Sequence, residues 1–501
     1  MILTANQIRA WDTFTIMNEP IESIDLMERA ALSCFKWLEK MNYSSSSFHI
    51  FCGKGNNGGD GLALGRMLLQ SGARVNVFIL SDENKGSADF QINMLRWKEF
   101  SKREIKWLGE TCDFPDLSDG GIIIDALFGS GLNRPLDGFN AQLVKYINEK
   151  TSLTISIDLP SGLIADELQS GDSIIRAHKT LSFQSPKLAF YYPENEKYTG
   201  EIHILDIGLD KGFLENLTVN HYLLEKSMLK SIYRPRQRFS HKGTFGHALI
   251  VAGSYGKIGA VLLSAKACLH SGIGLLTLAA PKCAYAILQT GVPEAMVISD
   301  EKSNKIVDLK LAFSNYQAVG IGPGLGNAEA TRKWLLNQLS TIKCPLVLDA
   351  DALNAIAYEE KWDCIPRNAV LTPHPKEFDR LFGHCENSQE RIQKAIEMAE
   401  KRSCIIILKG HHTLIATPEG KAWFNTTGNA GMATGGSGDV LTGIITGLLA
   451  QGYSPTEASL LGVWLHGKAG DLAAKEYGQE ALSASHIIQY LGKAFLSIIC
   501  S

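Results

Sequence analysis

The stretch NTTGNAGMATGGSGDVLTGIITGLLAQG, residues 425–452, decides how the second half of this chain is read. A glycine-dense loop runs straight into a segment whose apolar residues, Val440, Leu441, Ile444, Ile445, Leu448 and Leu449, recur at helical spacing. The unpaired N–H groups of a helix start, with the positive end of its dipole, attract an anion. Glycines let successive amides converge on phosphate oxygens without a β-carbon in the way. The turn Gly435-Gly436-Ser437-Gly438-Asp439 is therefore read as a phosphate cradle. Asp439, in the first helical turn, is placed to take a proton from an attacking hydroxyl. Alone, a Gly-Asp pair before a helix is an ordinary N-cap; the neighbouring loops tip the balance. Gly443 and Gly447, one turn apart, are read as sites of close helix packing.

Four of those loops follow short apolar runs, where open α/β sheets place their ligands. VAGSYGKIGA (251–260) is a flexible turn leading into a helix, and IGPGLG (321–326) packs three glycines and a proline into six residues. LTPHPKEFDRL (371–381) holds His374 between two prolines, and LKGHHTLI (408–415) puts Lys409 and backbone amides at a strand end. One such loop is weak; four beside the glycine turn are not.

Working outward, two blocks alternate β-branched runs with amphipathic stretches, the pattern of a mostly parallel sheet covered by helices. In the first, strands are predicted over 48–52, 74–80, 121–127, 154–158 and 201–207, with helices over 8–18, 59–71, 87–100 and 140–150. In the second, strands are predicted over 247–253, 275–280, 318–321, 345–349, 369–372 and 404–409, before helices over 439–451 and 455–477. The polar stretch 211–241, basic toward its end at Arg234, Arg236 and Arg238, reads as a charged linker poor in strand signal. The expected architecture is two three-layer α/β domains, residues 1–215 and 225–501.

In the first block FCGKGNNGGDGLALGRML (51–68) is a strand, a tight glycine loop and a helix, without the Walker lysine or a clean GxGxxG. Asn56, Asn57, Gly58, Gly59 and Asp60 offer amides and side-chain oxygens suited to a phosphate or a weakly hydrated cation. DALFGSGLNRPLDG (125–138) and SIDLPSGL (156–163) each set an aspartate at a strand end, Asp125 and Asp158, and Ser161 adds a hard oxygen. Any single one of these aspartates is as readily a turn cap.

Composition narrows the classes. The chain has 501 residues, too many for one ordinary core, and a net charge of -3, which argues against nucleic acid or an anionic membrane as partner. Ten scattered cysteines without a CxxC pair fit a reducing cytoplasm. The start MILTANQIRAWD lacks a signal-peptide layout, and Lys266 and His270 interrupt the longest apolar run.

The second block resembles the ribokinase-like domain of the NAD(P)H-hydrate dehydratases, on GSYGKIGA, IGPGLG, LDADALN (348–354), TPHPKEF, LKGHHT and above all TGNAGMATGGSGDVLTG. The resemblance implies that Ala260, Gly324 and His374 contact the hydrated nicotinamide nucleotide. It assigns Lys409, Gly410, His411, His412, Thr413 and Gly438 to the nucleotide phosphoryl donor. Asp439 would meet both the substrate hydroxyl and the transferred phosphoryl group. The first block resembles the Rossmann-like NAD(P)H-hydrate epimerase domain, supported also by LTANQIRAWD and LMERAA (26–31). That implies substrate contacts from Asn56 to Asp60 and from Gly129, Ser130, Gly131, Leu132, Asn133, Arg134 and Pro135. Asp158 becomes the acid–base group, and Asn57, Asp125 and Ser161 the ligands of a potassium ion. Together the resemblances imply a bifunctional repair enzyme that uses ADP, with Mg2+, and assembles as a homo-oligomer. The rivals are a ribokinase-like small-molecule kinase and, for the first block, a scaffold or nucleotide-binding module.

Overall fold

A computed structural model describes residues 1–501 except 44–45, 82–84, 102–103, 170, 302 and 500–501. Runs such as Ile122–Ala126 are buried along their whole length, on both faces, as strands in the middle of a helix-covered parallel sheet must be. The chain divides into two compact units, Met1–Val219 and Asn220–Ser501.

The first unit contains β1 (Ser47–Cys52), β2 (Arg74–Leu80), β3 (Lys106–Leu108), β4 (Ile122–Ala126), β5 (Thr154–Ile157), β6 (Lys179–Phe183) and β7 (Glu201–Leu205). They form one sheet in the order β3-β2-β1-β4-β5-β6-β7. Every pairing is parallel. The strand order reverses between β1 and β4, which opens a crevice at their carboxyl ends.

The second unit contains β8 (His221–Leu223), β9 (His247–Val251), β10 (Leu275–Pro281), β11 (Met296–Asp300), β12 (Ala318–Ile321), β13 (Leu346–Leu348), β14 (Val370–Leu371), β15 (Ile405–Leu408), β16 (Thr413–Ala416) and β17 (Ala422–Asn425). The sheet order is β11-β10-β9-β12-β13-β14-β15-β16-β17-β8. From β11 to β15 it is parallel; β16 and β17 then return as antiparallel neighbours. Here the order reverses between β9 and β12.

The helix Ser437–Ala450 runs through the core of this unit, and Val440 to Ala450 are all buried. Each leucine or isoleucine on it contributes about 1.5–3 kcal/mol by leaving water. Its glycines do what their spacing predicts. A β-carbon on Gly443 would lie 2.1 Å from the Ser264 carbonyl oxygen, and one on Gly447 would lie 2.0 Å from Ser271 Oγ. The facing helix Ile258–His270 therefore packs backbone to backbone against it.

One expectation is corrected. Residues 211–241 carry a 3-10 helix (Lys211–Asn216), strand β8 and a helix (Lys226–Ile232). Arg234 and Arg236 are exposed, but each is tied to the second unit rather than left as a free linker charge. Arg234 donates to the Gly452 carbonyl at 3.0 Å and to Glu457 at 2.9 Å, and stacks on the Tyr453 ring. Arg236 donates to the Gly272 carbonyl and lies over Phe245. β8 was missed because three residues cannot show a period, and its pairing with β17 is made across some two hundred residues of chain.

Candidate active sites

In the second unit five loops leave the carboxyl ends of parallel strands in register. Val251 is paired with Ile321, Ile321 with Leu348, and Leu348 with Leu371, so these strands finish side by side. Asp349, the first residue past β13, is buried, and Lys409, the first past β15, meets it with Nζ 3.0 Å from Oδ1. The other Asp349 oxygen accepts from Thr442 Oγ1 at 2.7 Å, which ties the carboxylate to the glycine-turn helix. Burial pulls the Lys409 pKa down. Asp349 and then Glu377, whose Oε2 is 3.9 Å away, outweigh it and hold the ammonium above the ordinary lysine value.

The helix Ser437–Ala450 starts at Gly436, which has φ 89°, a left-handed conformation natural only to glycine, and no side chain caps it. Ser437 N reaches the Thr434 carbonyl only at 3.4 Å, and no side chain takes the amides that follow it in the first turn. A β-carbon on Gly438 would lie 3.2 Å from Lys409 Nζ, so turn and lysine are immediate neighbours. Asp439 lies in the first turn of this helix. Burial, then the Asp349 charge, pushes its pKa up to about 6, despite the opposing pull of Lys409. That suits a general base working near neutrality.

The remaining predicted contacts fall on the same sheet edge. Gly324 has φ 59°, and a β-carbon there would lie 2.7 Å from the Lys257 carbonyl and 3.1 Å from Ala260 Cβ, so the first two loops touch. His374 caps the helix Pro375–Phe382; its Nδ1 accepts from the Glu377 amide at 3.2 Å. Burial lowers its pKa against the opposing pull of Glu377, whose Oε1 lies 3.4 Å from Nε2. Gly410 has open space where a side chain would be, and Thr413 Oγ1 closes the turn on its carbonyl at 3.1 Å. The His411 and His412 rings are 4.4 Å apart, and His412 is held neutral, its pKa pushed down to about 4 by burial and then by His411.

In the first unit the predicted residues again gather at carboxyl ends. Asp125, fully buried at the end of β4, accepts from Ser161 N at 2.8 Å, Ser161 Oγ at 2.5 Å, Ser156 Oγ at 2.7 Å and Leu127 N at 3.3 Å. Burial raises its pKa and these donations offset part of the rise. Asn57 is buried with neither amide atom hydrogen-bonded. An orphaned buried amide oxygen is the kind of hard donor that a weakly hydrated monovalent cation takes, as are the Asp125 carboxylate and the Ser161 hydroxyl. The helix Asn56–Gln70 that carries Asn57 to Asp60 begins at Gly55 without a side-chain cap, leaving amides for a phosphate.

Asp158 follows β5 with φ 63°, an unusual conformation for a non-glycine residue. Its Oδ2 accepts from the Ser130 amide at 2.9 Å, and its Oδ1 lies 2.7 Å from the Lys187 ammonium. Burial alone would raise its pKa; Lys187 and Ser130 bring it below the ordinary carboxylate value. Gly129 fits between Asp158 and Asn57: a β-carbon on it would lie 3.0 Å from Asp158 Oδ2 and 3.2 Å from Asn57 Cγ.

Comparison with known proteins bears on these two edges separately and together. Residues 248–493 match the NAD(P)H-hydrate dehydratase family model, and residues 23–189 match the model described as the YjeF-related protein N-terminus. A bifunctional NAD(P)H-hydrate repair enzyme of Moorella thermoacetica is 36% identical, with 98% of this chain and 96% of that one covered. The chain belongs to the bifunctional NAD(P)H-hydrate repair enzymes. The Escherichia coli member is 30% identical over 93% of this chain and 88% of its own. Among solved structures, the ADP/ATP-dependent NAD(P)H-hydrate dehydratase of Bacillus subtilis, co-crystallised with ATP and Mg2+, is 32% identical with a TM-score of 0.50. It covers 56% of this chain and all of its own.

Within this repair-enzyme frame, four residues escaped the sequence reading. Lys187 is fully buried and also donates to Ser182 Oγ at 2.8 Å and the Phe183 carbonyl at 3.1 Å. A lysine after a serine-proline pair gives no signal until β6 sets it opposite Asp158. Asp12, its pKa pushed up to about 7 by burial and then by Asp158, belongs to the same cluster. Asp349 reads in the sequence only as the last residue of the predicted strand 345–349 and as part of LDADALN, with no role of its own. His466, 29 residues from the glycine turn, has Nε2 3.0 Å from the Ser437 carbonyl; burial pushes its pKa down to about 4, so the neutral ring donates and braces the turn.

Proposed function

We propose that the second unit dehydrates hydrated NADH and NADPH at the expense of ADP, and that the first interconverts the two epimers of the hydrated carbon. Hydration leaves a hydroxyl on a ring carbon beside nitrogen, and hydroxide leaves poorly. Asp439 takes the hydroxyl proton as the oxygen attacks the terminal phosphorus of ADP, releasing AMP. The new phosphate ester breaks at its C–O bond, the ring nitrogen supplying electrons, and the neighbouring carbon loses a proton to restore the double bond. The turn amides and Lys409 neutralise the moving phosphoryl charge, and Mg2+ enters with the nucleotide phosphates. Ala260, Gly324 and His374 hold the nicotinamide end; Lys409 to Thr413 and Gly438 hold the donor.

In the first unit Asn56 to Asp60 and Gly129 to Pro135 bind the same substrate, and Asp158 moves the proton on the hemiaminal oxygen. Potassium, on Asn57, Asp125 and Ser161, would fix the loops and balance charge there. The enzyme is proposed to work in the cytoplasm as a homo-oligomer, which light scattering would check. One observation carries the dehydratase reading: Asp439, Lys409 and an uncapped glycine turn meet at one sheet edge. Incubating the full chain with hydrated NADH and ADP should release AMP and phosphate in step with reduced-cofactor absorbance. A phosphorylated product that accumulates without that absorbance would favour the small-molecule kinase instead.

A further inference from the structure

A cleft of about 700 Å3 opens beside the nicotinamide-side loops of the second unit, lined by none of the residues assigned so far. Its walls come from those loops, through Ser254, Tyr255, Leu325 and Gly326, and from the segments that follow β10 and β11. Ser254 Oγ donates to the Gly324 carbonyl at 2.9 Å, so the cleft wall and the nicotinamide-side glycine are hydrogen-bonded neighbours.

The chemistry of the walls is that of a nucleotide tail. Lys282 and Lys305 both line it. Lys282 pairs with Glu301 at 3.4 Å, with both side chains more than 60% exposed, a pairing too weak to neutralise it. Lys305 sits on a closed loop: Asp300 Oδ2 accepts from the amides of Val307 and Asp308, and Thr331 Oγ1 donates to the Ile306 carbonyl. Ala328, another wall residue, is the N-cap of the helix Glu329–Leu339, and no side chain caps that helix, so its first amides add to the positive field. Tyr255 is 76% exposed, a large ring left uncovered on the rim, while its backbone amide is pinned to the Asn304 carbonyl at 2.9 Å. An uncovered ring on a fixed backbone offers a base a stacking face, with only the side-chain rotamer left to order.

We infer that this cleft receives the adenosine end of the hydrated dinucleotide, with Lys282 and Lys305 gripping the 2′-phosphate that separates the NADPH form from the NADH form. The inference rests on the proposed dehydration and adds a substrate preference to it. Glu301 works against the extra phosphate, so its removal should strengthen the preference.

Dehydration is measured with the full-length protein on hydrated NADPH and hydrated NADH, for wild type, Lys282→Ala/Lys305→Ala and Glu301→Gln. The double variant should lose about 10- to 100-fold in kcat/KM on the NADPH form and less than about twofold on the NADH form, as expected for two exposed cations on one phosphate. Glu301→Gln should widen the wild-type preference. Equal losses on both substrates, or none on either, would overturn the assignment. Calorimetry with adenosine 2′,5′-bisphosphate reads the cleft without catalysis. Wild type should bind it, the double variant about tenfold or more weakly, and 5′-AMP and inorganic phosphate should each bind more weakly than the bisphosphate. Bisphosphate binding unchanged in the double variant contradicts the cleft even if dehydration is confirmed. Binding lost as expected in a protein that dehydrates neither substrate keeps the cleft and removes the proposed reaction.

Discussion

Lys187 Nζ lies 2.7 Å from Asp158 Oδ1, deep in the first unit, with the lysine side chain 1% exposed. A buried ammonium on one carboxylate oxygen and a backbone amide on the other fix both the charge and the direction of Asp158. Lys187→Met strands that charge, and breaking a buried pair from one side costs about 3–5 kcal/mol. The sign follows from the lowered Asp158 pKa: the pair's contribution is present above the unfolded carboxylate value and is lost as pH falls through the lower folded value. Urea denaturation at neutral pH should therefore show the full loss, with the gap to wild type closing only in acid. The acid limb of the epimerisation rate should also move upward in the variant.

Asp439→Asn should stop dehydration while epimer exchange continues. In the wild type the dehydration rate should fall as pH drops below about 6, because Asp439 has been pushed up to about 6. A raised carboxylate destabilises the fold as it ionises, from its unfolded value up to that pH and fully above it. The asparagine variant should thus unfold at higher denaturant near pH 7, by up to about 3 kcal/mol, and show no advantage below pH 4.

Exchanging potassium for tetramethylammonium should slow epimerisation and leave dehydration unchanged. Asn57→Leu should give a slow epimerisation rate that no longer responds to potassium, since Asn57 supplies the buried oxygen that lacks a protein partner. Epimer exchange followed by proton NMR reads both effects.

Gly443→Ala puts a methyl group 2.1 Å from the Ser264 carbonyl oxygen, a backbone atom that cannot swing aside. Overpacking there should cost about 1–3 kcal/mol, read as a lower thermal midpoint. Gly438→Ala meets only the Lys409 ammonium, at 3.2 Å, and no backbone atom, so it should cost far less stability than Gly443→Ala yet lose dehydration activity.

How much the sequence discloses differs by element. The long periodic helix 455–477 and strands 74–80 and 318–321 were legible to the residue, because a buried stripe or a β-branched run is a local pattern. Strands β6, β11, β16 and β17 were not. β6 reads KTLSF and β11 lies at a sheet edge with Met296 and Ile298 exposed, so neither carries a clean apolar run. The glycine turn and the aspartates at strand ends were visible because their residue types already restrict the backbone. Lys187, Asp349 and His466 were invisible for the opposite reason. Each matters only through a partner that the topology brings near, and no spacing along the chain encodes that meeting.

The central claim is that two separate sites act in sequence on one substrate. The most direct test supplies ADP and an unseparated mixture of both hydrated NADH epimers to wild type and to Asp158→Asn. Wild type should return the whole mixture to reduced cofactor in one rapid course. Asp158→Asn should return one epimer at the wild-type rate and then stall at the pace of spontaneous epimerisation. Complete, equally fast recovery by Asp158→Asn, or no recovery by wild type with either ADP or ATP, would contradict it.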